Sequence, residues 1–412
     1  MDPPAVRSAM PRVLFLDQSG DLGGAELSLL DIARHFRAAA TVALLGDGPF
    51  AERLRAGSVP VELVVGGGRL AVRREDGPAA WLAALGAVGT IVPRLVGLCR
   101  RHELIYANTQ KAFVLGAVAA LLSRRPLIWH LRDILTSEHF GRANLRLVIS
   151  LSRLAAARVI ANSDATAAAF VAAGGDRRRL VTIPNGIDPA PWCPLAPDRR
   201  ARLRQELGLR AGPVVGIFSR LAAWKGQHVL VEALRALPDV QCLVVGDPLF
   251  GEEPYRERLV RRIDELGLSE RVRLCGFRAD IPAVMQACDM IVHASTAAEP
   301  FGRVIVEAML ADRPVIASDA GGAREIVEDG ASGILVPPGD ADQLAAAIGR
   351  ILEDRELAAR LATGGRARAL AQFGLTRTLG RIALVVSEVA AAAAGERDVS
   401  AAERGGPTWK RS

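Results

Sequence analysis

The stretch VLFLDQSGDLGGAELSLLDIARHF, residues 13–36, begins the pattern that indicates the fold. Residues 13–16 are apolar, as in a buried strand, and residues 19–24 supply the glycines of a tight turn. Residues 25–36 then show the apolar spacing of a helix. A strand, a glycine-containing turn and a helix in this order predict the opening unit of a doubly wound α/β domain.

This pattern continues along the chain and then starts again. Further strand-like runs in the first half are residues 41–45, 61–65, 104–106, 127–129, 159–161 and 180–183. The second series consists of residues 213–218, 240–245, 272–275, 290–293, 315–317 and 333–336. Helical stretches separate many of these runs, so we predict two Rossmann-like, doubly wound parallel-sheet domains facing a cleft. Ligands of such sheets bind at the carboxyl ends of the strands.

The length of 412 residues suits two domains. We expect them at residues 1–190 and 191–375, because the segment after residue 184 is rich in proline and then in arginine, as in a linker. A final helix over residues 376–394 has apolar residues at helical spacing, which indicates a packing face rather than a membrane anchor. The polar segment 395–412 is expected to be a disordered tail.

The charge of the chain is unevenly distributed. The net charge is +7, and residues 1–190 hold 23 Lys and Arg against 16 Asp and Glu, whereas the rest holds 29 of each. A basic first half suggests a phosphate-bearing substrate or an anionic membrane surface, although an arginine-rich solvated surface would look the same. Only 4% of residues are aromatic and no groove-reading motif occurs, which disfavours nucleic acid as a partner.

The cysteines and the N-terminus bear on location. The five cysteines form no CxxC pair and no ligand spacing with histidine, which is typical of reduced, buried thiols in a cytoplasmic protein. The first ten residues contain no apolar core of a signal peptide, and no uninterrupted apolar run reaches the roughly 18 residues of a membrane span. We therefore expect a cytoplasmic protein whose only membrane contact is peripheral, at the inner face.

The strongest chemical signal is EPFGRVIVE, which begins at Glu299 and ends at Glu307. Pro300 and Gly302 disfavour a helix before Arg303, so a helix over residues 303–310 would begin there and leave backbone amides for an anion. The two carboxylates would border the same ligand, and their lone pairs suit the vicinal hydroxyls of a sugar or a ribose. An ordinary surface loop with an acidic residue is the alternative.

Two further signals lie at predicted strand ends. Arg220 and Lys225 follow the strand 213–218, where they would stabilise the negative charge of a diphosphate leaving group, although two cations on a loop are common on any surface. His130 follows the strand 127–129 and would point at the cleft, where it could bind a sugar hydroxyl or assist proton movement. A satisfied core histidine is the competing interpretation of His130.

Two alternatives are disfavoured by missing motifs. The turn at residues 20–24 lacks the full G-x-G-x-x-G spacing and an acidic residue that ends the second strand, which argues against a nicotinamide enzyme. The glycines would still let the backbone approach a phosphate closely. The only Asp-x-Asp is Asp340-Ala341-Asp342, where a helix cap is the better interpretation, so a metal-bridged diphosphate is poorly supported.

These motifs occur together, in order, over roughly residues 13–373. The quoted segments are Gly23-Gly24-Ala25-Glu26, Asn162-Ser163, Pro184-Asn185-Gly186-Ile187-Asp188, Arg220 with Lys225, Gly276-Phe277-Arg278-Ala279-Asp280-Ile281-Pro282, the run from Glu299 to Glu307, Gly321-Gly322-Ala323-Arg324-Glu325-Ile326-Val327 and Asp329-Gly330-Ala331-Ser332-Gly333-Ile334-Leu335-Val336. Together they closely resemble family 4 of the retaining glycosyltransferases, which have the GT-B fold. The resemblance implies a hexosyltransferase that moves a sugar from a nucleotide diphosphate-sugar to an acceptor hydroxyl in glycan, polysaccharide or glycolipid biosynthesis.

The resemblance also implies roles for individual residues. Glu299 and His130 would contact the donor sugar, Glu307 the ribose, and Arg220 and Lys225 the diphosphate. Further donor contacts would come from Gly23, Gly24, Phe277, Arg278, Phe301, Gly302, Arg303 and Val304, with Phe277 and Arg278 near the base. The first domain would bind a glycan or lipid-linked acceptor, through residues that the sequence does not identify, and the final helix would cross back onto it. Neither a metal nor another cofactor is expected.

Two alternatives of related chemistry stay open at this point. A nucleotide-sugar epimerase of the same fold would form product from the donor without an acceptor. A catalytically inactive sugar-nucleotide-binding subunit would bind the donor without turnover, although the presence of Glu299, Glu307, Arg220 and Lys225 argues against it.

Overall fold

The computed structural model describes residues 10–64, 78–136, 140–249 and 251–404. The strands are β1 Val13–Asp17, β2 Ala40–Leu44, β3 Val61–Leu63, β4 Leu104–Ala107, β5 Leu127–Leu131, β6 Ala156–Ala161, β7 Leu180–Thr182, β8 Val214–Phe218, β9 Gln241–Val245, β10 Val272–Gly276, β11 Met290–His293, β12 Val315–Ser318 and β13 Ile334–Val336. Each run that the sequence predicts as a strand overlaps one of them, and their ends differ by up to three residues.

The helices alternate with the strands. They are α1 Gly24–His35, α2 Pro49–Ala56, α3 Pro78–Arg100, α4 Gln110–Ser123, α5 Arg142–Ala155, α6 Asp164–Ala172, α7 Pro197–Glu206, α8 Gln227–Ala233, α9 Glu253–Glu265, α10 Ile281–Ala287, α11 Arg303–Leu310, α12 Ala323–Ile326, α13 Ala341–Glu353, α14 Arg355–Gln372 and α15 Leu375–Arg404. Short 3₁₀ turns connect some of these elements, and one of them, Ala223–Lys225, carries the candidate site residue Lys225.

The strands form two parallel sheets. The first has the order β3-β2-β1-β4-β5-β6-β7, and the second has the order β10-β9-β8-β11-β12-β13. In each sheet the order reverses beside the first strand of its series, β1 or β8, which is the switch point where doubly wound sheets bind ligands. The predicted fold class, two Rossmann-like parallel-sheet domains, is confirmed.

Apolar side chains cover both faces of each sheet. Phe15 and Tyr106 face one core of the first sheet, and Leu14 and Trp129 face the other. The second sheet is likewise covered by two separate clusters of buried residues. Strands that are buried on both sides read as continuous apolar runs rather than as an alternation, which is why they were recognisable in the sequence.

The chain divides into two compact units. The second unit comprises residues 184–378 together with residues 163–165, and the first comprises the remainder, including residues 379–412. The chain thus changes unit at Pro184 and at Leu379, near the expected boundaries after residues 190 and 375.

Helix α15 belongs mostly to the first unit. Its residues Ile382, Val385, Val386 and Val389 are buried in the core that β1 and α1 share. By length and composition the stretch Leu375–Gly395 could cross a membrane, a property that core helices share, and a third of it is buried in the molecule. Packing of one face into that core accounts for these four residues, whereas Leu384 on the same helix is 65% exposed.

The expected disordered tail over residues 395–412 is partly helical instead. Helix α15 continues through Arg404, because the segment after residue 389 is rich in alanine, which favours helix even without tertiary contacts. The remainder of the expected tail, residues 405–412, lies outside the described residues.

Candidate functional site

The loop between β11 and α11 holds Glu299. Its backbone is held by the turn after β12, because the amide of Gly322 donates to the carbonyl of Glu299 over 2.8 Å. Gly321 has a φ of +57°, and a Cβ added there would lie 2.4 Å from the Glu299 carbonyl oxygen. Only glycine allows this close approach at a left-handed position. The sequence Gly321-Gly322 therefore serves to hold the backbone of Glu299 in place.

The carboxylate of Glu299 is bound by three side chains. Lys225 Nζ lies 2.5 Å from Oε1, and His293 Nε2 lies 2.5 Å from Oε2. The hydroxyl of Ser295 donates to Oε2 over 3.1 Å. The side chains of Glu299 and Lys225 are only 13% and 12% exposed, so this ion pair is largely shielded from water. The structure thus joins directly a lysine and a glutamate that the resemblance assigns to different parts of the donor.

Two opposing effects set the ionisation of Glu299. Burial alone would raise the pKa of its carboxyl group, but the positive charge of Lys225 and the contacts with His293 hold the pKa well below its usual range. Glu299 is consequently an ionised acceptor of hydrogen bonds at neutral pH.

Arg220 lies in the loop after β8, beside the turn that carries Lys225. Its guanidinium is 3.4 Å from Glu252 and 5.6 Å from the ring centroid of Trp224. The Nζ atom of Lys225 lies over the same ring at 4.2 Å. Both cations thus contact one aromatic ring, which limits their side-chain freedom. This concentration of positive charge at a strand's carboxyl end suits a diphosphate.

Helix α11 begins at Arg303 and ends at Leu310, as predicted, with Gly302 at its N-cap in a left-handed conformation. Arg303 Nη2 lies 3.4 Å from Glu307 Oε1. Burial raises the pKa of Glu307, and Arg303 opposes that effect. Because the contact with Arg303 is long, the carboxyl group of Glu307 can still accept a hydrogen bond from a ligand.

The apolar side chains of this turn face the protein rather than a ligand. Phe301 is buried and packs against Phe373 with a centroid distance of 5.7 Å, and Val304 packs on the same core. Any contact of Phe301 with a donor would therefore be made by its backbone, whereas the half-buried Val304 keeps part of its side chain accessible.

Phe277 and Arg278 follow β10. The ring of Phe277 is 62% exposed, and its amide donates to Asp247 Oδ2 over 2.8 Å. Arg278 forms a bidentate pair with Asp280, at 2.8 and 2.6 Å. The exposed ring of Phe277 and the planar guanidinium of Arg278 both follow β10, and each is a flat group on which a base could stack.

The glycine turn of the first unit leads into α1. Gly23 is the N-cap, and its amide donates to Glu26 Oε2 over 3.0 Å. A Cβ at Gly23 would lie 2.7 Å from that oxygen. Gly24 is the first residue of the helix, so its amide lies at the positive end of the helix dipole.

Behind this turn lies a buried polar cluster that the sequence analysis missed. Asn108 donates to Asp17 Oδ2 over 2.7 Å and accepts hydrogen bonds from Arg132 over 3.1 and 3.0 Å. Burial raises the pKa of Asp17 to about 6, and burial together with the charge of Asp17 raises the pKa of Glu26 to about 7. The missed signal was the polar residue directly after or at the end of β1, β4 and β5.

His130 is buried within β5, with 1% of its surface exposed. Its Nδ1 lies 2.5 Å from the hydroxyl of Tyr106, while Nε2 has no hydrogen-bond partner among the described residues. Burial and the charge of Arg132 lower the pKa of His130, so the ring is neutral. Its expected contact with a donor sugar stays a prediction.

His293 and Ser295 are the other residues that the sequence analysis did not assign. His293 is identified there only as the end of a strand, and nothing in the local sequence shows that its ring turns toward Glu299. In the described part of the chain no cluster of three or more His, Cys, Asp or Glu could hold a metal ion. Asp340 caps α13 by accepting a hydrogen bond from the amide of Gln343 over 2.9 Å.

Known proteins match this architecture along most of the chain. A family model described as glycosyl transferases group 1 matches residues 199–368, and one described as glycosyltransferase family 4 matches residues 22–191. A GDP-mannose-dependent α-(1-6)-phosphatidylinositol monomannoside mannosyltransferase of Mycolicibacterium smegmatis is 32% identical over 302 residues, which cover 68% of this chain and 76% of that protein.

Solved structures agree with the sequence matches. The HepE protein of Anabaena, crystallised with UDP and glucose, is 45% identical with a TM-score of 0.85, and the match covers 92% of this chain and 99% of HepE. Sucrose-phosphate synthase of Thermosynechococcus elongatus, at 22% identity and a TM-score of 0.77, shares the fold over 92% of this chain and 99% of its own.

The two sheets and the cationic, glutamate-bearing strand ends define a nucleotide-sugar-dependent glycosyltransferase of the GT-B fold. The chain belongs to glycosyltransferase family 4. It transfers a sugar from a nucleotide-sugar donor in the biosynthesis of glycans or glycolipids.

Proposed function

We propose that the transfer retains the configuration at the anomeric carbon and proceeds by attack on the face from which the diphosphate leaves. Membership of glycosyltransferase family 4 supports retention, and the Lys225–Glu299 ion pair supports same-face attack over a covalent glycosyl-enzyme intermediate. A carboxylate that three donors bind, and whose pKa is held low, is a weak nucleophile, so Glu299 suits hydrogen bonds to sugar hydroxyls better than a covalent intermediate. The leaving phosphate oxygen would then take the acceptor proton.

The stereochemical outcome tests this mechanism. The coupling constant of the product's anomeric proton, measured by NMR before any mutarotation, would be that of the donor sugar. A product of the opposite configuration would refute retention while leaving the glycosyltransferase activity intact.

In the proposed complex Arg220 and Lys225 bind the diphosphate, with help from the backbone of residues 301–304 and from Gly24. Glu299 and His130 bind the sugar, and Glu307 binds the ribose. Phe277 and Arg278 border the base. Support comes from the placement of the second unit's residues at the carboxyl ends of β8, β10 and β11.

We propose UDP-glucose as the first donor to test, because HepE has been crystallised with it at 45% sequence identity. The mycobacterial relative is GDP-mannose-dependent, which makes GDP-mannose the natural competitor. A donor present at about 100 times its Kd stabilises a protein by about 2.7 kcal/mol, so a thermal-shift panel of nucleotide sugars will separate them. Stabilisation by GDP-mannose alone would exclude the UDP-glucose assignment.

We propose that no metal takes part in catalysis. Arg220 and Lys225 supply the positive charge that a divalent ion would otherwise place beside the diphosphate. Turnover should be the same in EDTA as in added Mg²⁺ or Mn²⁺. A loss of activity in EDTA that Mn²⁺ restores would contradict this.

For the acceptor we propose a glycan or lipid-linked hydroxyl, reached at the cytoplasmic face of an anionic membrane. Helix α5 supports this, because it contains no Asp or Glu and exposes Leu147 and Leu154, at 51% and 66%, beside Arg142 and Arg146. Such a face suits anionic lipid. Vesicles with phosphatidylglycerol should sediment the protein, and a Leu147→Ser/Leu154→Ser variant should stay in solution. Leu370→Ser, at an exposed site on α14, is the control.

A further inference from the structure

His293 is the last residue of β11 and lies almost wholly inside the protein. Its Nε2 atom is 2.5 Å from Glu299 Oε2, and Ser295 Oγ is 3.2 Å from the same nitrogen. Because an ionised carboxylate only accepts hydrogen bonds, Nε2 must carry the hydrogen. The backbone carbonyl of His293 in turn accepts a hydrogen bond from Ser318 over 3.3 Å, which anchors the residue to β12.

In the proposed reaction Lys225 contacts two anionic groups, the carboxylate of Glu299 and the diphosphate of the donor. In the ligand-free protein its Nζ lies 2.5 Å from Glu299 Oε1, at the opposite end of the carboxylate from His293. A diphosphate carries more negative charge than one carboxylate and would draw Nζ toward it. Each step that brings Lys225 closer to the diphosphate therefore weakens its hold on Glu299.

Because Glu299 is buried, its ionisation depends on the positive charge of Lys225. A carboxylate in a poorly solvated site takes up a proton more readily when its counter-charge withdraws. A protonated Glu299 would have fewer lone pairs for sugar hydroxyls and could rotate about its last torsion. A second donor that does not depend on the diphosphate would prevent both changes.

We infer that His293 is a positioning residue that keeps Glu299 ionised and oriented toward the sugar while Lys225 engages the diphosphate. This inference rests on the proposed donor contacts of Glu299 and Lys225. Oε1 of Glu299 loses its contact with Lys225 during the reaction, whereas Oε2 stays bound to His293 and Ser295.

The surrounding charges fit this division. Among the described residues, Lys225 and His293 are the ionisable side chains that contact Glu299, while Arg220 and Glu252 face Lys225 from the neighbouring loop and from the start of α9. On the far side of the imidazole, Nδ1 is buried without a hydrogen-bond partner among the described residues. The ring orientation is thus determined by its contacts with Glu299 and Ser295.

The experiment compares His293→Phe with His293→Gln in the 412-residue chain, with UDP-glucose as the donor. His293→Phe should lower kcat by about 10–100-fold, by analogy with the loss seen when a group that orients a metal-binding side chain is removed. Its acid limb of kcat/KM should move to higher pH, because Glu299 then protonates more readily. The Kd for UDP alone, measured calorimetrically, should change less than about twofold.

His293→Gln retains an N–H donor and should recover most of kcat, whereas a purely structural role would make the two variants equally impaired. Ser318→Ala is the matched control, since it removes a buried hydrogen bond to the same residue without touching the carboxylate. It should leave the pH profile unchanged.

An unchanged kcat and acid limb in His293→Phe would overturn the inference. If that variant does not fold, His293→Asn replaces it, because its amide is too short to reach Oε2 as Gln does, and equal activity of the Asn and Gln variants would also overturn the inference. Glu299→Gln separates this failure from that of the proposed function. If Glu299→Gln is as active as the unmodified enzyme, the role of Glu299 itself is wrong.

Discussion

Each unit contains a buried polar cluster at its strand ends, and the two clusters differ in the ratio of basic to acidic side chains. In the second unit one carboxylate, Glu299, faces Lys225 and His293, and its pKa lies well below the usual range. In the first unit two carboxylates, Asp17 and Glu26, share the charge of Arg132, and their pKa values rise to about 6 and about 7. Burial acts alike in both places, so the number of cations per carboxylate decides which form is stable.

The ionisation state of each cluster suits a different role. A permanently ionised Glu299 is a fixed acceptor for sugar hydroxyls. The cluster of Asp17 and Glu26 instead supports the turn at Gly23, and it does so with groups that hold or release a proton near neutral pH.

The largest effect is expected from Arg132→Leu. It removes the cation that Asp17 and Glu26 share and leaves Asn108 without its guanidinium partner. Breaking a buried charged network in this way costs about 3–5 kcal/mol of unfolding free energy. Urea unfolding at pH 7.5 measures it, and a loss below about 1 kcal/mol would show that the cluster does not depend on Arg132.

The next largest effect is expected from Lys225→Ala. Removing a cation that stabilises the leaving group should lower kcat at saturating donor by about 10²–10³-fold. Steady-state kinetics with the donor above its KM measures this. Arg262→Ala, which breaks the ion pairs with Glu232 and Glu265 outside the proposed donor contacts, is the control, and an unchanged turnover of Lys225→Ala would reject its role.

Glu26→Gln tests the sign of the pH dependence. The pKa of Glu26 is higher in the folded protein than its usual value of 4.5, so its contribution to stability is complete below about pH 4.5 and is lost as the pH rises through about 7. A tenfold change in the proton affinity of one group corresponds to about 1.4 kcal/mol of free energy. The variant should therefore lose less stability than the unmodified protein between pH 5 and pH 8, as thermal unfolding at the two pH values will show.

Glu299→Gln should change the pH dependence of stability in the opposite direction to Glu26→Gln. The pKa of Glu299 is lowered on folding, so its contribution is present above the usual pKa of 4.5 and is lost as the pH falls below it. Replacing it should remove part of the acid destabilisation of the protein, which thermal unfolding between pH 3 and pH 6 would detect. If both variants altered the pH dependence in the same direction, the contrast between the clusters would be wrong.

The smallest effect is expected from Arg262→Ala on stability. Arg262 pairs with Glu232 and Glu265 over 2.5 and 3.1 Å, and its side chain is 41% exposed. Ion pairs that water reaches contribute little to stability, because solvent screens the charges and both side chains lose conformational freedom. Urea unfolding should therefore show the smallest loss of the series, and a loss comparable with that of Arg132→Leu would mean that burial does not distinguish the two networks.

Local sequence predicts the helices and strands better than it predicts the side-chain contacts of the two polar clusters. The helix over residues 303–310 was predicted from Pro300 and Gly302, because these residues restrict the backbone locally. The helix end near residue 395 was missed, since a polar, alanine-rich segment is compatible with both helix and tail. The partners of His293 and His130 were missed because they depend on side-chain directions across strands and loops.

Local sequence was sufficient to establish the two parallel sheets, the glycine turns and the candidate residues at strand ends, because apolar periodicity and backbone restrictions act over short distances. Packing of the chain was needed to show that Lys225 and His293 share Glu299, and that Asp17 and Glu26 share Arg132. These residues lie far apart in the chain or on different elements, and their ionisation depends on burial and on neighbouring charge. Both properties arise only when the sheets pack.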